Sequence, residues 1–521
     1  MPSVQHIGGP TRTVRETVRE AGPTVTSGNS TSPAHTVRSA GRRRCALASV
    51  ACSVLLAAGL VSLDAGPATA ATPGLRGDFN GDGHGDVVAA SDGGAGRITV
   101  LYGAAGGLGS SRAVLDQESP GVPGHNENGD GFGRALAAAD FDADGFSDLA
   151  VGIPHEVVGT GPWEAGSVAI LWGGPSGLSG GTPLPTGAPD PEGPYSAVGA
   201  TLAAADFTGD GHPDLAVGHE GGVRLLKGPF TRTGANAGVT VHRLPEGSEW
   251  IDAVRVADMN GDGRADLLAE ANPQPENDAD TSSGIWWFAG APDGLATGKA
   301  VPGLPAGAHL AGRKAFTAGD LDGDGRADLA VGSRGEDAGS GGVGGRATVV
   351  YGAAAGPGTG RPAVSVDQDT EGVPGTSEPE DAFGGALAIG DLDGDHIGDL
   401  VIGAPGETLG SGTAAVKSAG AVTVLRGSPD GLTTAGAQMD TQDSPGVPGA
   451  AEPGDRFGAA LLLTDTDHDS RADLAVVADG ENGTGMLWRL PGSPAGLTGT
   501  GSAYYGAPAA PAVRFGVPLE G

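Results

Sequence analysis

Three features of the 521-residue sequence predict an all-β fold, a seven-bladed β-propeller of four-stranded antiparallel blades. An acidic nonamer recurs seven times, at intervals of 62, 66, 52, 62, 71 and 74 residues. Each copy runs into a short apolar stretch and then an alternating one, both with the length and β-branching of strands. The C-terminal "VRFGVPLEG" repeats the opening of a unit and stops before any nonamer, so it can complete the first blade.

The N-terminal 70 residues stand apart from the repeats. Arg42, Arg43 and Arg44 precede an apolar core over 45–63 and the small-residue segment "GPATAATPG". That order predicts a secretory signal peptide cleaved after Ala70, following an N-terminal extension, with the propeller over 71–521. A membrane anchor is the competing reading, disfavoured because the run is short and interrupted by glycine. Both cysteines, Cys45 and Cys52, lie inside the signal, so the mature chain has no disulfide. An exported domain without disulfides needs another staple, and metal is the usual substitute.

Residues 1–70 hold seven Arg and three Asp or Glu; the remainder carries 23 basic and 60 acidic side chains, a net charge of −37. Such a field repels nucleic acid and anionic membranes, so neither is an expected partner. Gly and Pro, 98 and 38 residues, make up more than a quarter of the chain. Without a period that composition would suggest disorder; the repeats decide for a folded array.

Within each unit the order is constant. Phe132, Phe383 or Phe457 stands eight residues before the nonamer, followed by Gly and an apolar stretch such as "ALAAAD". Val198-Gly199 and Trp250 take that place in two other units, whereas unit five has Gly312 there and Phe316 nearer the loop. After the nonamer come "DLAVGIP" or "DLVIGAP", then "GSVAILWG" or "GAVTVLRG", then a "GL" corner and a weaker fourth strand. Four strands in a meander make one blade, and rings of about 4–8 such blades are the usual size. A terminal strand shared between the ends would remove the open edge.

The nonamers have the chemistry of calcium loops. Calcium takes six to eight hard oxygens, and carboxylates at positions 1, 3, 5 and 9 of a tight turn can supply them. A Gly at position 6 permits the sharp reversal. The predicted metal ligands are Asp78, Asn80, Asp82 and Asp86; Asp140, Asp142, Asp144 and Asp148; and Asp206, Thr208, Asp210 and Asp214. The fourth and fifth loops supply Asp258, Asn260, Asp262, Asp266, Asp320, Asp322, Asp324 and Asp328. The last two supply Asp391, Asp393, Asp395, Asp399, Asp465, Asp467, Asp469 and Asp473. Up to seven Ca²⁺ ions are expected, held most strongly at the 140 and 320 loops. The third loop is weakened by Thr208, and the last two by His396 and Ser470 at position 6. An Asp/Gly-rich turn without metal is the bland alternative.

The Phe-Gly start, the acidic nonamer and the Gly403-Ala404-Pro405 tripeptide resemble the FG-GAP repeat of the integrin α-chain propeller. The same repeat forms the propeller of phosphatidylinositol-glycan-specific phospholipase D and of some fungal lectins. The resemblance implies a secreted, extracellular calcium-binding propeller. It would act as a non-catalytic binding or adhesion module, a monomer with an extracellular protein or polysaccharide ligand. It also admits an extracellular hydrolase of the phospholipase D-associated type, or a calcium-dependent lectin. This module serves unrelated functions, so resemblance to it fixes fold better than activity.

No catalytic constellation is visible in the residues. "GLSGG" at 177–181 matches a nucleophile-elbow pattern around Ser179, but such matches are common in a Gly-rich chain, and it falls at a "GL" corner. "RGD" at Arg76-Gly77-Asp78 resembles an adhesion tripeptide whose Asp is already a loop ligand. Asn482-Gly483-Thr484 fits a glycosylation sequon. The face opposite the nonamers is expected to carry the long inserts at 154–166, 334–345 and 405–420, with Trp163, Glu164 and Glu336, and three "GVPG" linkers at Gly121, Gly372 and Gly446. Loops on a rigid scaffold favour recognition, and solvated Gly-rich loops are the plain alternative.

Overall fold

The computed structural model describes residues 77–92, 94–158, 165–185, 197–219, 221–244, 248–273, 284–304, 315–335, 343–506 and 514–520. The propeller unit spans Thr69–Gly521; the stretch expected to be an N-terminal extension and signal peptide, and Trp163, Glu164, Gly312 and Glu336, lie outside the described residues.

Seven four-stranded antiparallel sheets follow one another along this unit. In blade two the strands are Ala135–Ala139, Asp148–Ile153, Ser167–Trp172 and Ser179–Pro183, each paired with the next. The nonamer is the hairpin between the first two. Second strands such as Asp148–Ile153 and Asp399–Ala404 are buried at every residue, because both faces of a blade are covered by its neighbours. That is why they read as unbroken apolar runs instead of alternating ones. The outermost strands lie at the rim and alternate, as Gly238–Arg243 does.

Ring closure follows the expectation. Arg514–Glu520 pairs antiparallel with Val87–Asp92, Val88 opposite Glu520 and Asp92 opposite Arg514. The first blade therefore consists of the last strand and three early ones. The first strands of successive blades, Arg514–Glu520 included, contact each other all the way round. A central cavity of about 560 Å³ runs between them, lined mostly by small apolar residues together with Arg134, Asp252 and Arg255.

The Phe-Gly pair has a mechanical explanation. Phe132, Phe383 and Phe457 are buried, and their backbone N–H groups donate to Ala95, Gly344 and Ala419 in the preceding blade, at 2.9, 2.7 and 2.9 Å. The next residue must then turn back with positive φ, as at Gly384 (φ 88°). A Cβ on Gly332, in the strand "DLAVGS", would meet the Gly384 carbonyl oxygen at 1.9 Å. Two glycines thus let adjacent blades close on each other, and the contact repeats at Gly152 with Gly199 and at Gly403 with Gly458.

Candidate metal centres

Each nonamer folds around its first Asp. In all seven hairpins the position-6 N–H donates to that carboxylate, from Gly83 to Asp78 at 2.8 Å through Ser470 to Asp465 at 2.9 Å. The position-5 carboxylate is held as well, accepting the N–H of position 7, as Asp324 does from Arg326 at 2.9 Å. Positions 4 and 6 both take positive φ, for example Gly323 at 69° and Gly325 at 82°. Sequence reasoning identified only the second of these requirements. His396 (φ 70°) and Ser470 (φ 70°) adopt the same turn without glycine, so the last two loops keep the shape of the others. Position 4 is also non-Gly at Ala143 (φ 58°) and His468 (φ 61°). Such residues carry about 1 kcal/mol or more of backbone strain each.

Position 9 does something the sequence did not disclose. One oxygen of Asp148 accepts Phe141 N–H at 2.9 Å and the other accepts Gly173 N–H at 2.8 Å. The equivalent pair recurs in every blade, as at Asp86 with Phe79 and Gly103, and at Asp328 with Leu321 and Gly352. This carboxylate therefore ties the hairpin to the corner that ends the third strand. Burial, opposed by those N–H groups and reinforced by the other loop carboxylates, pushes Asp86, Asp148 and Asp328 up to about 7 and Asp399 up to about 6. Burial raises Asp214, Asp266 and Asp473 likewise.

The hairpins are joined into a collar. The position-8 N–H donates to the position-1 carbonyl of the preceding blade: Gly85 to Asp465, Ser147 to Asp78, Ala265 to Asp206, Ala327 to Asp258, Gly398 to Asp320 and Ala472 to Asp391, at 2.7–3.2 Å. The series lapses only where position 8 is Pro213, which has no N–H to give. A loop that loses its shape thus loses a contact between blades.

Four hairpins bring three carboxylates together with ligand oxygens within 4.8 Å of one another. They are Asp140, Asp142 and Asp148; Asp320, Asp322 and Asp328; Asp391, Asp393 and Asp395; and Asp465, Asp467 and Asp473. All four have Asp at position 3. The hairpins with Asn80, Thr208 and Asn260 there are not among these groups. The donor set is entirely oxygen, which suits a hard cation. Asp142 Oδ1 and Asp467 Oδ1 are in addition buried with no hydrogen-bond partner, as oxygens kept for an ion would be. These clusters can hold a metal ion.

Two family models match stretches that between them contain the first six hairpins. The FG-GAP-like repeat matches residues 78–151 and 206–269, and the FG-GAP repeat matches 132–171, 314–350 and 383–425. The chain is an FG-GAP repeat propeller. Phosphatidylinositol-glycan-specific phospholipase D from Rattus norvegicus is 38% identical over 149 residues, and the proteins of that name from Bos taurus and Homo sapiens are 36% identical over 149. Each match covers 27% of this chain and 17% of the relative's length. Among solved structures, a lectin from Agrocybe aegerita, described as recognising non-reducing terminal N-acetylglucosamine, covers 81% of this chain and 90% of its own at 16% identity and a TM-score of 0.48.

In this FG-GAP propeller every position-3 Asp has an arginine beside it. Arg232, from the next blade, reaches Asp142 and Asp144, each at 2.6 Å, and Arg361 reaches Asp322 at 3.1 Å. Arg426 contacts Asp393, and Arg489 contacts Asp467 at 2.5 Å and Asp473 at 2.7 Å. The side chains of Arg232 and Arg361 are 52% and 36% exposed, whereas that of Arg489 is 4% exposed. In blade four, whose position 3 is Asn260, Trp287 Nε1 donates to Asp266 at 2.8 Å instead. The four arginines lie 22 to 90 residues from their position-3 carboxylates, and no local pattern marks them.

The remaining motifs fall as follows. Asp78 is buried, and its carboxylate already accepts three loop N–H groups. Ser179 begins an exposed outer strand of blade two and is not on a strand-to-helix turn. Asn482 is exposed in a short 3₁₀ turn, Glu481–Gly483. The 405–420 insert forms a small hairpin with Leu409 bridged to Val416. No helix among the described residues is long and apolar enough to cross a membrane.

Proposed function

We propose that this FG-GAP propeller is a secreted, calcium-stabilised, non-catalytic binding or adhesion module for an extracellular protein or glycan. The observation that carries it is the gathering of three carboxylates in each of four hairpins that are hydrogen-bonded, blade to blade, into the collar of a closed ring. Calcium at the positions named above neutralises charge that the metal-free loops concentrate, and holds the scaffold on which the opposite-face loops are displayed. The ligands at full-strength sites are positions 1, 3, 5 and 9, with position 9 keeping its backbone contacts. The ring acts as a monomer. Binding of the purified chain to arrays of glycans, matrix proteins and cell-wall polymers, with calcium and with chelator, tests this reading. A calcium-dependent ligand supports it. Turnover of a phosphodiester or glycoside by the chain would replace it with the hydrolase reading that the phospholipase D match suggests.

A further inference from the structure

The face opposite the hairpins holds a second recurring constellation, built by the "GVPG" linkers. Gln117, Gln368 and Gln442 each stand four residues before the first Gly of that motif. Thirteen residues on lie Asp130, Asp381 and Asp455, and thirty-nine residues on lie Glu156, Glu407 and Glu481, with identical spacing in all three copies. The glutamine Nε2 donates to the glutamate Oε2 at 2.7, 2.5 and 2.7 Å. The Asp carbonyl accepts the N–H of the residue just before that Glu, from His155, Gly406 and Gly480 at 3.1, 2.9 and 3.0 Å. The two carboxyl groups are thereby set side by side, Asp381 1% and Glu407 8% exposed.

One atom in each copy is unaccounted for. Gln117, Gln368 and Gln442 are 2%, 3% and 1% exposed, and the Oε1 of each has no hydrogen-bond partner. Each amide is fixed by its nitrogen against the glutamate, so its oxygen is held in the same cluster. A buried acceptor left unpaired is costly, and one such atom calls for an explanation such as a water or an ion. Three at equivalent positions, each beside two carboxyl groups, call for the same explanation three times. The acceptor atoms that meet there, the amide oxygen and the carboxylates, are all oxygens, the donor set of a hard cation.

We infer that the Gln–Asp–Glu triads at 368/381/407 and 442/455/481, and their counterpart at 117/130/156, are a second class of divalent cation site of the calcium type. Each clamps a blade-to-blade linker to the second-to-third-strand loop of the blade it enters. The counterpart at 117 opens on a cavity of about 470 Å³ that Arg224 also lines, so the other two are the cleaner places to look. The inference does not rest on metal in the hairpins, which occupy the other face.

The test uses crystals of the full chain grown in calcium and exchanged into terbium(III), whose anomalous signal marks each ion. Peaks within coordination distance of Gln368 Oε1 and Gln442 Oε1 are expected. Water at those oxygens, with terbium confined to the hairpins, overturns the inference; terbium in the triads with empty hairpins sustains it and sinks the hairpin reading instead. A solution measurement covers the case of poor crystals. Gln368→Glu adds a carboxylate to the site, so the gap between melting temperatures in calcium and in chelator should widen relative to the unaltered chain. A gap unchanged or narrowed overturns the inference. Glu407→Gln should lower the calcium retained after gel filtration by about one ion per chain; an unchanged count overturns it as well.

Discussion

The hairpins at Asp320–Asp328 and Asp465–Asp473 carry the same four carboxylates, yet their surroundings differ. In the first, both left-handed positions are glycine, and the arginine beside Asp322 is a half-exposed side chain touching one oxygen. In the second, His468 and Ser470 take those positions. There the buried Arg489 guanidinium also spans Asp467 and Asp473, two of the three carboxylates that face one another. The first hairpin is relaxed, and the arginines on it, Arg361 at Asp322 and Arg326 at Asp324, are part-exposed. The second is strained and already partly neutralised by the protein's own cation. Counting ligands ranks the two equal, so affinity in this ring is set as much by competing charge and backbone strain as by ligand number.

The largest effect that would break this comparison lies at Arg489. Arg489→Met leaves the buried Asp473 and the part-buried Asp467 without their cation and should cost about 3 kcal/mol in chelator. In calcium most of that loss should return, because an ion can then take the guanidinium's place. Arg361→Met, at a more exposed pair, should cost about 0.5–1 kcal/mol. Chemical denaturation with and without calcium reads both. Equal losses would mean that the arginines do not distinguish the hairpins.

A smaller effect sharpens the ligand side. Asp324→Ala removes a central carboxylate, held only by the part-exposed Arg326 at 2.7 Å, from the relaxed hairpin, and a tenfold loss of affinity there is about 1.4 kcal/mol of calcium-dependent stability. Asp210→Ala, in the hairpin with Thr208, should lose less in the same titration. If the two variants lose the same, carboxylate number does not rank these sites.

The fold and the positions of the loops were legible in the sequence because both rest on short-range periodicity. The nonamers, the Phe-Gly starts and the buried second strands repeat within each unit, and "VRFGVPLEG" announces the strand Arg514–Glu520 by likeness alone. What was not legible depends on partners distant in the chain. Arg232 stands 90 residues from Asp142, Arg361 39 from Asp322, and both come into place only when blades form. Position 4 is left-handed without a sequence mark, because Ala143 and His468 occupy it without glycine. The double backbone contact of position 9 was hidden by the ligand role that the same Asp offers. The glutamine triads were visible only as "GVPG" linkers, since their glutamate lies 39 residues onward on another loop.

Acidity provides a third effect. Asp86, Asp148 and Asp328 have folded values near 7 against ordinary values near 3.8, so in chelator the folded chain binds more protons than the unfolded one between those limits. Their contribution is fully present below about pH 4 and is lost as pH rises through 7. The metal-free protein should therefore lose stability across that window, by at most about 1.4 kcal/mol per pH unit for each carboxylate. Calcium favours the ionised forms and should flatten the slope. Melting temperatures in chelator that rise from pH 4 to 7 would contradict this. A further effect is conformational: Ser470→Gly should stabilise the chain by about 1 kcal/mol with or without calcium, by relieving a left-handed residue.

A calorimetric calcium titration of the full chain, started from chelator, tests calcium stabilisation of the ring most directly. The melting temperature should climb in more than one step as calcium fills first the hairpins whose arginines, Arg232 and Arg361, are exposed and later those held by the more buried Arg426 and Arg489, and magnesium at the same concentrations should not reproduce the climb. A melting temperature indifferent to calcium throughout the titration would contradict it.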